Sequence, residues 1–312
     1  MTFSDINALA SKRVPFLFIS DFKAKNLKLI PLDKLLEADL DFEINENINL
    51  TSNKHTIKKN PSTFGEYKKK FDKVIEEIKS GNTYLLNLTQ KTSIESDLTL
   101  NEIYTCANAK YKLRYKDEFV CFSPESFVKI KNNKIHTFPM KGTIDASLEN
   151  AKEKILKDKK EMAEHVMVVD LLRNDLSIRA KNVRVKNFRY LEEIQAGDKN
   201  LLQVSSHISG ELEPNWHKQL GSILETLLPA GSISGAPKKS TLEIIESIED
   251  YERGYFCGVF GVFDGESFDS GVMIRFIQKT RKGYVYKSGG GITLDSDATS
   301  EYEEMLDKVY LP

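Results

Sequence analysis

Short apolar segments of strand length recur along this chain, outnumber its helical stretches and do not alternate with them in a regular order. A doubly wound parallel sheet requires regular alternation of strands and helices, so this order favours the α+β class instead. Asn132 and Asn133 suit a hairpin turn between two of the segments. We predict strands at residues 14–19, 83–88, 119–122, 127–131, 134–138, 202–208, 255–263, 271–278 and 284–287.

Apolar residues at helical spacing mark three helices, because residues three and four apart share one face of a helix. The stripes are Tyr67, Phe71, Val74, Ile75 and Ile78 in the first helix, Met162, Val166, Val169 and Leu172 in the second, and Leu242, Ile245 and Ile248 in the third. Gly81 ends the first helix and Pro237 begins the third. A final helix is predicted at residues 300–309, with Ser300 and Glu303 forming a capping box.

The charge balance excludes two classes of partner. The 312 residues include 45 Lys and Arg against 46 Asp and Glu, so neither nucleic acid nor an anionic membrane attracts the chain in bulk. No apolar run is long enough for a transmembrane helix, and the start of the chain lacks the apolar core of a signal peptide. The three cysteines form no Cys-x-x-Cys pair, which favours a reducing compartment. We therefore expect a cytoplasmic protein.

A polar stretch rich in Asn, Lys and Thr, residues 41–61, predicts an exposed connection. We expect residues 1–61 to form a short N-terminal segment that contributes strands to the same fold. Residues 62–312 are then expected to form the main domain.

Two pairs of glutamates stand three residues apart on predicted helices, so the members of each pair point the same way. The pairs are Glu161 with Glu164 and Glu301 with Glu304, and Lys308 follows the second pair by one turn. Val168 continues the stripe of the first pair, which directs that pair towards the interior. Unpaired carboxylates on such faces are costly without compensation, and hard oxygen ligands with room for water suit Mg²⁺. Solvated glutamate patches on exposed helices are the commoner outcome of this spacing alone.

Five further features could serve chemistry, and each has a plainer structural explanation. Residues 231–238 lead into a helix N-terminus that could bind an anion, and residues 289–291 allow a ligand close to the backbone, although tight turns also explain such glycines. Lys141 could be a nucleophile or a solvated turn residue. Glu125 could be a general acid or a loop carboxylate. Arg275, within an apolar stretch, indicates a bound carboxylate or a structural ion pair.

Together these segments resemble the chorismate-utilising enzymes, the family of the anthranilate, aminodeoxychorismate, isochorismate and salicylate synthases. The match runs from about residue 64 to residue 309, and several long motifs in fixed order are far more specific than any one of them. The matching segments are Gly81-Asn82-Thr83-Tyr84, Ser123-Pro124-Glu125, Pro139-Met140-Lys141-Gly142-Thr143, Glu161-Met162-Ala163-Glu164-His165, Val169-Asp170-Leu171-Leu172-Arg173-Asn174-Asp175, residues 231–238, Gly289-Gly290-Gly291-Ile292 and Glu301-Tyr302-Glu303-Glu304.

The resemblance implies the family's fold, an α/β sandwich of two large packed antiparallel sheets with helices outside, and makes residues 62–312 the chorismate-binding catalytic domain. It also implies that Glu164 and Glu304 bind Mg²⁺ directly, that Glu161 and Glu301 help through water, and that the ion holds the ring carboxylate of chorismate. The substrate-binding residues implied are Gly142, Thr143, Gln203, Ser232, Phe256, Gly289, Gly291, Lys308 and Arg275, of which Arg275 matches the arginine that holds the enolpyruvyl carboxylate.

Lys141 indicates the branch of the family. Aminodeoxychorismate synthases carry lysine in a Pro-Ile-Lys-Gly-Thr motif, whereas anthranilate synthases carry alanine at that place. The resemblance implies that Lys141 attacks ring C2 while Glu125, the general acid, protonates the leaving 4-hydroxyl, and that ammonia then enters at C4 and expels the lysine. The chain is therefore predicted to form 4-amino-4-deoxychorismate for para-aminobenzoate and folate biosynthesis.

Two residues and the N-terminal segment depart from the family pattern. Relatives that use water carry lysine directly after the Tyr84 position and ammonia users usually carry glutamine, whereas this chain has Leu85. Leu85 offers no general base, which argues against isochorismate and salicylate synthesis. Gln203 replaces a frequent histidine, and the N-terminal segment lacks the Leu-Leu-Glu-Ser type motif that holds tryptophan in longer relatives.

Two other functions remain open from the sequence: an anthranilate synthase large subunit and a catalytically silent chorismate-binding subunit. Retention of Glu125, Lys141 and four metal-type carboxylates counts against the silent subunit, which needs neither acid nor nucleophile. No cysteine lies in a glutaminase-type nucleophile elbow. A separate glutamine amidotransferase subunit is therefore expected to supply ammonia.

Overall fold

The computed structural model describes residues 1–45, 57–196 and 199–311, whose chain forms two compact units. The first unit comprises Met1–Leu32, Glu125–Ser232 and Val259–Val272. The second unit comprises Asp33–Pro124, Ile233–Gly258 and Met273–Pro312. Each unit is built around one antiparallel sheet. The division into residues 1–61 and 62–312 stays a prediction.

The described residues form seventeen strands and eight α-helices. The strands are β1 (Phe16–Ser20), β2 (Leu27–Pro31), β3 (Leu40–Ile44), β4 (Lys58–Pro61), β5 (Leu85–Glu95), β6 (Tyr111–Tyr115), β7 (Phe119–Ser123), β8 (Ser126–Lys131), β9 (Lys134–Thr137), β10 (Met140–Asp145), β11 (Lys181–Ala196), β12 (Lys199–Glu211), β13 (Gly235–Ala236), β14 (Val259–Phe263), β15 (Phe268–Val272), β16 (Phe276–Thr280) and β17 (Gly283–Ile292). The helices are α1 (Phe3–Ser11), α2 (Phe64–Lys79), α3 (Leu100–Cys106), α4 (Ala151–Lys157), α5 (Lys159–Ser177), α6 (Leu220–Leu227), α7 (Lys238–Ile248) and α8 (Ala298–Asp307). Within the part of the chain that the structure describes, no helix is both long and apolar enough to cross a bilayer.

The first unit contains a nine-stranded sheet in the order β10-β12-β9-β8-β15-β14-β1-β2, with β11 paired to β12. All five residues of β1 are buried, which explains its continuous apolar sequence. In this unit α1 packs closely on α6, where the position of a Cβ on Gly221 would lie 1.9 Å from the carbonyl oxygen of Phe3. Asn7 accepts a hydrogen bond from the Gly221 main chain at 2.7 Å and so fixes this contact.

The second unit contains an eight-stranded sheet in the order β13-β5-β17-β16-β7-β6-β3, with β4 paired to β5. Its longest pairing, β5 with β17, places Gly289 opposite Thr89 and Gly291 opposite Asn87. A core cluster that includes Ile103, Val120 and Ile277 lies against this sheet. The predicted α+β class with two large antiparallel sheets flanked by helices is confirmed.

Most predicted elements occur at their expected places. Helix α2 buries Tyr67, Phe71, Val74 and Ile78 as the periodicity indicates. The hairpin between β8 and β9 turns at Asn132 and Asn133, whose φ angles of 52° and 56° match a type I′ turn.

Four predictions of elements are wrong. Residues 271–278 are not one strand: β15 ends at Val272, β16 begins at Phe276 in the other sheet, and Arg275 between them has a left-handed φ of 52°. Residues 255–257 form a turn that precedes β14. The stretch at residues 41–61 contains β3 and β4 and is only partly a connection, and residues 46–56 lie outside the described residues. Asp297, rather than Ser300, caps α8, by accepting from the Ser300 main chain at 2.9 Å.

The buried stripe of α5 also differs from the predicted one. Val169 and Leu172 are buried, but Met162 and Val166 are 36% and 46% exposed. The helix instead buries Glu164 and His165. Polar groups thus occupy the inner face where apolar periodicity predicted methionine and valine.

We expect that replacing Arg253 with methionine lowers the free energy of unfolding by about 3–5 kcal/mol, because it leaves the carboxylate of Glu249 buried without its partner. Both side chains of this pair are 2% exposed and lie 2.7 Å apart. The guanidinium also donates to the carbonyl oxygens of Ile233 at 2.9 Å and Asn87 at 2.6 Å. Urea denaturation measures the change.

The matched control for the Arg253 variant is Lys58→Met, which breaks an ion pair with Glu95 that is exposed at both ends. That change is expected to cost less than about 1 kcal/mol. Equal effects of the two substitutions would contradict the importance of burial.

Candidate active site

Lys141 lies at an irregularity of β10 in the first unit. Met140 pairs with Ser205 and Thr143 with Gln203, so Lys141 and Gly142 together face one residue of β12, as in a β-bulge. Gly142 has a φ of +82°, and a Cβ there would lie 2.9 Å from a carboxylate oxygen of Glu161. The left-handed backbone angle therefore favours glycine here, and a larger residue would also have to displace the Glu161 carboxylate.

The bulge brings Lys141 to Glu164 of α5. Lys141 Nζ lies 3.4 Å from Glu164 Oε2, and Lys160 Nζ lies 3.8 Å from Glu164 Oε1. Glu164 is 6% exposed, so the interpretation of this glutamate as part of a solvated patch is wrong. Two ammonium groups within 4 Å compensate a carboxylate that would otherwise be costly to bury.

His165, the residue after Glu164, is fully buried and was not assigned a role from the sequence. Its Nε2 atom lies 2.7 Å from Ser206 Oγ, which also accepts a hydrogen bond from the Arg189 main chain at 2.9 Å. Burial, and then the positive charge of Arg189, lowers the pKa of His165 to about 4. Ser206 interrupts an otherwise apolar face of β12. This serine was the feature of the sequence that could have indicated a buried polar partner.

The free energy of unfolding is expected to fall as the pH drops from about 6.5 to 4, by on the order of 3 kcal/mol from His165 alone. In this range the unfolded chain binds a proton at His165 and the native protein does not. The measurement is urea denaturation in magnesium-free buffer at several pH values. His165→Asn should show a flatter pH profile than the wild type, and an identical slope for both proteins would refute the assignment.

Glu125 and Ser232 of the first unit contact each other through their side chains. Ser232 Oγ and Glu125 Oε1 are 2.5 Å apart, and the Glu125 main-chain oxygen accepts from Val272 at 3.0 Å. A Cβ on the preceding Gly231 would lie 3.1 Å from side-chain atoms of α5. The glycine-rich segment therefore packs on the helix that carries Glu164, and its serine holds the predicted acid in one orientation.

The second unit holds the other predicted carboxylates beside the glycines of β17. Lys308 Nζ donates to the Gly289 carbonyl oxygen at 2.9 Å and pairs with Glu304 Oε1 at 2.7 Å. A Cβ on Gly290 would lie 3.2 Å from Glu301 Oε2. Glu301 is 4% exposed and accepts from Ser296 at 2.8 Å, so it too is not part of a solvated patch. The Glu304 side chain is 58% exposed.

Arg275 of the second unit contacts Tyr310, with Nε 3.4 Å from the hydroxyl and the guanidinium carbon 5.6 Å from the ring centre. Among the described residues it has no carboxylate partner, so the alternative of a structural ion pair is wrong. Phe256 is 2% exposed and packs on Phe276, with ring centres 5.9 Å apart. Its predicted contact with substrate stays a prediction.

Two predicted substrate residues lie beside the bulge on paired strands. Thr143 is exposed at the pairing position opposite Gln203. The Oε1 atom of Gln203 is buried and has no hydrogen-bond partner among the residues that the structure describes. A buried acceptor without a donor is unusual and suits a group that a ligand can satisfy.

The predicted magnesium ligands are two glutamates in each unit. Within the described ranges, no three His, Cys, Asp or Glu side chains are arranged to hold a metal by themselves. Magnesium is usually held by one or two protein carboxylates together with water and substrate oxygens. The buried carboxylates of Glu164 and Glu301, each beside a second glutamate, fit that donor set. The binding of one ion by all four glutamates stays a prediction.

Comparison with known proteins defines the class. The family model described as chorismate binding enzyme matches residues 24–311, and the chain belongs to that family. It is 46% identical over 310 residues to an uncharacterized PabA-like protein of Haemophilus influenzae, covering 98% of this chain and 94% of the relative.

Two further relatives carry names that specify a reaction. The chain is 32% identical over 261 residues to aminodeoxychorismate synthase component 1 of Salmonella typhimurium, covering 78% of this chain and 56% of the relative. The crystal structure of anthranilate synthase component I from Streptococcus pneumoniae matches with a TM-score of 0.69 and 26% identity, covering 81% of this chain and 58% of that one. The resemblance drawn from the motifs is confirmed, and the family contains both reactions.

Proposed function

We propose that this chain aminates chorismate at C4 to give 4-amino-4-deoxychorismate, with Mg²⁺ as cofactor. The observation that carries the proposal is the placement of Lys141 at a glycine bulge, with its amine 3.4 Å from the buried carboxylate of Glu164. Lys141 is 20% exposed, so its amine is partly shielded yet reachable. In a chain of this family, a lysine held in this way suits a nucleophile better than a solvated turn residue.

The chemistry assigned to the side chains is a double displacement. The Lys141 amine, after loss of a proton, bonds to ring C2 while the ring double bond shifts and the C4–oxygen bond breaks. Glu125 gives its proton to the departing oxygen, which leaves as water. Ammonia then bonds to C4, the double bond shifts back, and the lysine leaves C2 as an amine. The covalent adduct divides one difficult displacement into two easier steps.

The other polar groups bind and orient the substrate. Arg275 has a guanidinium without a carboxylate partner among the described residues, and it is assigned to the enolpyruvyl carboxylate. Glu161, Glu164, Glu301 and Glu304 are assigned to Mg²⁺, which when bound neutralises and orients the ring carboxylate. The hydrogen bond from Ser232 fixes the carboxyl of Glu125.

Leu85 favours ammonia over water as the incoming group. It begins β5, is 3% exposed, and its carbonyl oxygen lies 1.9 Å from where a Cβ on Gly235 would be. A buried leucine side chain offers no base to activate water. We assign the ammonia supply to a glutamine amidotransferase subunit, and the product to para-aminobenzoate and folate biosynthesis in the cytoplasm.

The test is incubation of the purified chain with chorismate, ammonium and Mg²⁺, with the products separated by chromatography. We expect aminodeoxychorismate, which an added lyase converts to 4-aminobenzoate. Anthranilate as the main product would replace the proposal with the anthranilate synthase reaction. Chorismate binding by calorimetry without turnover at any Mg²⁺ concentration would identify a silent binding subunit.

A further inference from the structure

Lys287 is a buried lysine to which the proposed chemistry gives no role. It is 4% exposed in the middle of β17, and burying an amine is costly unless polar groups compensate. Lys112, another buried lysine of the second unit, pairs with Glu43 at 3.0 Å. Lys287 forms no such ion pair with a carboxylate among the described residues, so its burial needs a different explanation.

The amine of Lys287 is held instead by main-chain oxygens of one turn. Its Nζ atom donates to the carbonyl oxygen of Arg253 at 2.8 Å and to that of Glu252 at 3.4 Å. The rings of Tyr251 and Phe276 lie beside it, with their centres 5.5 Å and 5.7 Å from Nζ. Hydrogen bonds to carbonyl oxygens and contacts with aromatic faces can compensate a buried amine without a carboxylate.

The turn that Lys287 contacts, residues 252–258, carries Phe256, one of the predicted substrate residues. The Arg253 carbonyl oxygen that accepts from Lys287 also accepts from the Phe256 main chain, at 3.2 Å. The next residue, Cys257, has a left-handed φ of 62°. This angle is uncommon for a residue other than glycine and is kept only where the surroundings support it. The lysine supplies part of that support.

Lys287 also links the turn to the glycines of β17. Alternate residues of a strand share one face, so Lys287 lies on the same face as Gly289 and Gly291, which are also predicted to bind substrate. The Phe256 ring packs on Phe276, and Phe276 is the residue opposite Lys287 in the pairing of β16 with β17. The lysine therefore connects the strand of the predicted glycine contacts with the turn of the predicted aromatic contact.

We propose that Lys287 is a positioning residue for Phe256: its amine holds the Arg253 carbonyl oxygen, and with it the turn that presents the aromatic side chain to chorismate. The meaning of this contact for substrate binding rests on the proposed function. The hold on the turn itself can be tested with no substrate present.

The main variant is Lys287→Met, which keeps the length of the side chain and removes its N–H donors. Lys287→Arg keeps donors, and Lys287→Gln, one bond shorter, replaces the methionine variant if that protein does not fold. The matched control is Lys91→Met. Lys91 is the residue opposite Lys287 on β5 and also faces the Tyr251 ring, at 5.0 Å, but it is exposed. Circular dichroism and thermal unfolding establish that each variant is folded.

The first measurement is amide hydrogen exchange without chorismate, read by mass spectrometry of peptides. Peptides that cover residues 252–258 report the turn, and peptides that cover β7 report opening of the sheet. We expect Lys287→Met to speed exchange in the turn at least about fivefold relative to β7, because a buried hydrogen bond is lost. Lys287→Arg should restore most of the protection, and Lys91→Met should match the wild type. An unchanged turn, or equal acceleration of the turn and β7, would overturn the inference.

The second measurement is steady-state amination. We expect KM for chorismate to rise about fivefold in Lys287→Met with kcat within about twofold, because a loosened turn weakens the binding of substrate and transition state alike. In a Phe256→Leu background the same substitution should change KM less than about twofold, since the lysine acts through that ring.

The two measurements separate the inference from the proposed function. A wild-type KM in a Lys287→Met protein whose turn exchanges faster would overturn the role in substrate binding. Faster exchange of the turn in this variant, when the wild type never turns over chorismate, would instead refute the proposed function and leave the hold on the turn standing.

Discussion

Lys141→Ala is expected to lower the rate of chorismate amination about a thousandfold, with any residual turnover diverted towards anthranilate. Alanine removes the amine that lies 3.4 Å from Glu164 Oε2, so no adduct forms at C2. Direct addition of ammonia at C2 then becomes the remaining route. Alanine also occurs at this place in the anthranilate synthase motif, which is why the product and not only the rate should change. Chromatography of the products and anthranilate fluorescence measure both effects.

Lys160→Ala is the matched control for this prediction. Lys160 also lies beside Glu164, at 3.8 Å, but is 37% exposed on α5 and stands outside the lysine motif. Its removal should change the amination rate less than about threefold, as expected of a partly exposed ion pair. An unchanged rate and product for Lys141→Ala would refute the assignment of Lys141 as the nucleophile. Equal losses for the two lysines would show that positive charge near Glu164, and not nucleophilic attack, is what matters.

Local patterns in the sequence were sufficient to predict the α+β class and much of the secondary structure. Strand-length apolar segments and the asparagine pair gave the β8–β9 hairpin, because a type I′ turn depends on residues within the turn itself. The three-residue spacing with Val168 also predicted that Glu164 points inward. These features depend on neighbours in the chain, and local residues therefore determine them.

Predictions were wrong where the path of the chain depends on distant partners. Residues 271–278 read as one apolar strand, yet the chain leaves one sheet after Val272 and enters another at Phe276. The chain changes direction at Arg275, whose backbone is left-handed. Residues other than glycine rarely adopt this conformation, so the sequence does not predict it. On α5, the burial of Glu164 and His165 turns Met162 and Val166 outward. Tertiary packing overrides the apolar stripe there.

The candidate site also contains features that the sequence could predict and features that it could not. Motif order predicted roles for Lys141, Glu125 and the two glutamate pairs, and those roles stay predictions. The sequence could not show that Ser296 bonds to Glu301 or that Ser206 bonds to His165, because both contacts depend on the folded backbone. Contacts between residues that are distant in the chain are therefore harder to predict than the residue types of a motif.

The magnesium assignment gives the second large effect. Chelation with EDTA should abolish turnover and added Mg²⁺ should restore it, and Glu164→Gln should raise the half-saturating Mg²⁺ concentration at least about tenfold. Glutamine keeps the volume of the 6% exposed side chain and removes its charge. Glu303→Gln is the control, because Glu303 is exposed on α8 between Glu301 and Glu304. Full activity in EDTA would end the assignment.

Glu164 also pairs with Lys141, so a loss in Glu164→Gln alone could reflect a misplaced nucleophile. Glu301→Gln separates the two causes, because Glu301 lies in the second unit and accepts a hydrogen bond from Ser296. If both glutamate pairs bind one ion, both variants should need a higher half-saturating Mg²⁺ concentration. The rate at saturating Mg²⁺ should then recover in Glu301→Gln. A raised requirement in Glu164→Gln but not in Glu301→Gln would confine the metal to the first pair and make the carboxylate of Glu301 a structural partner of Ser296.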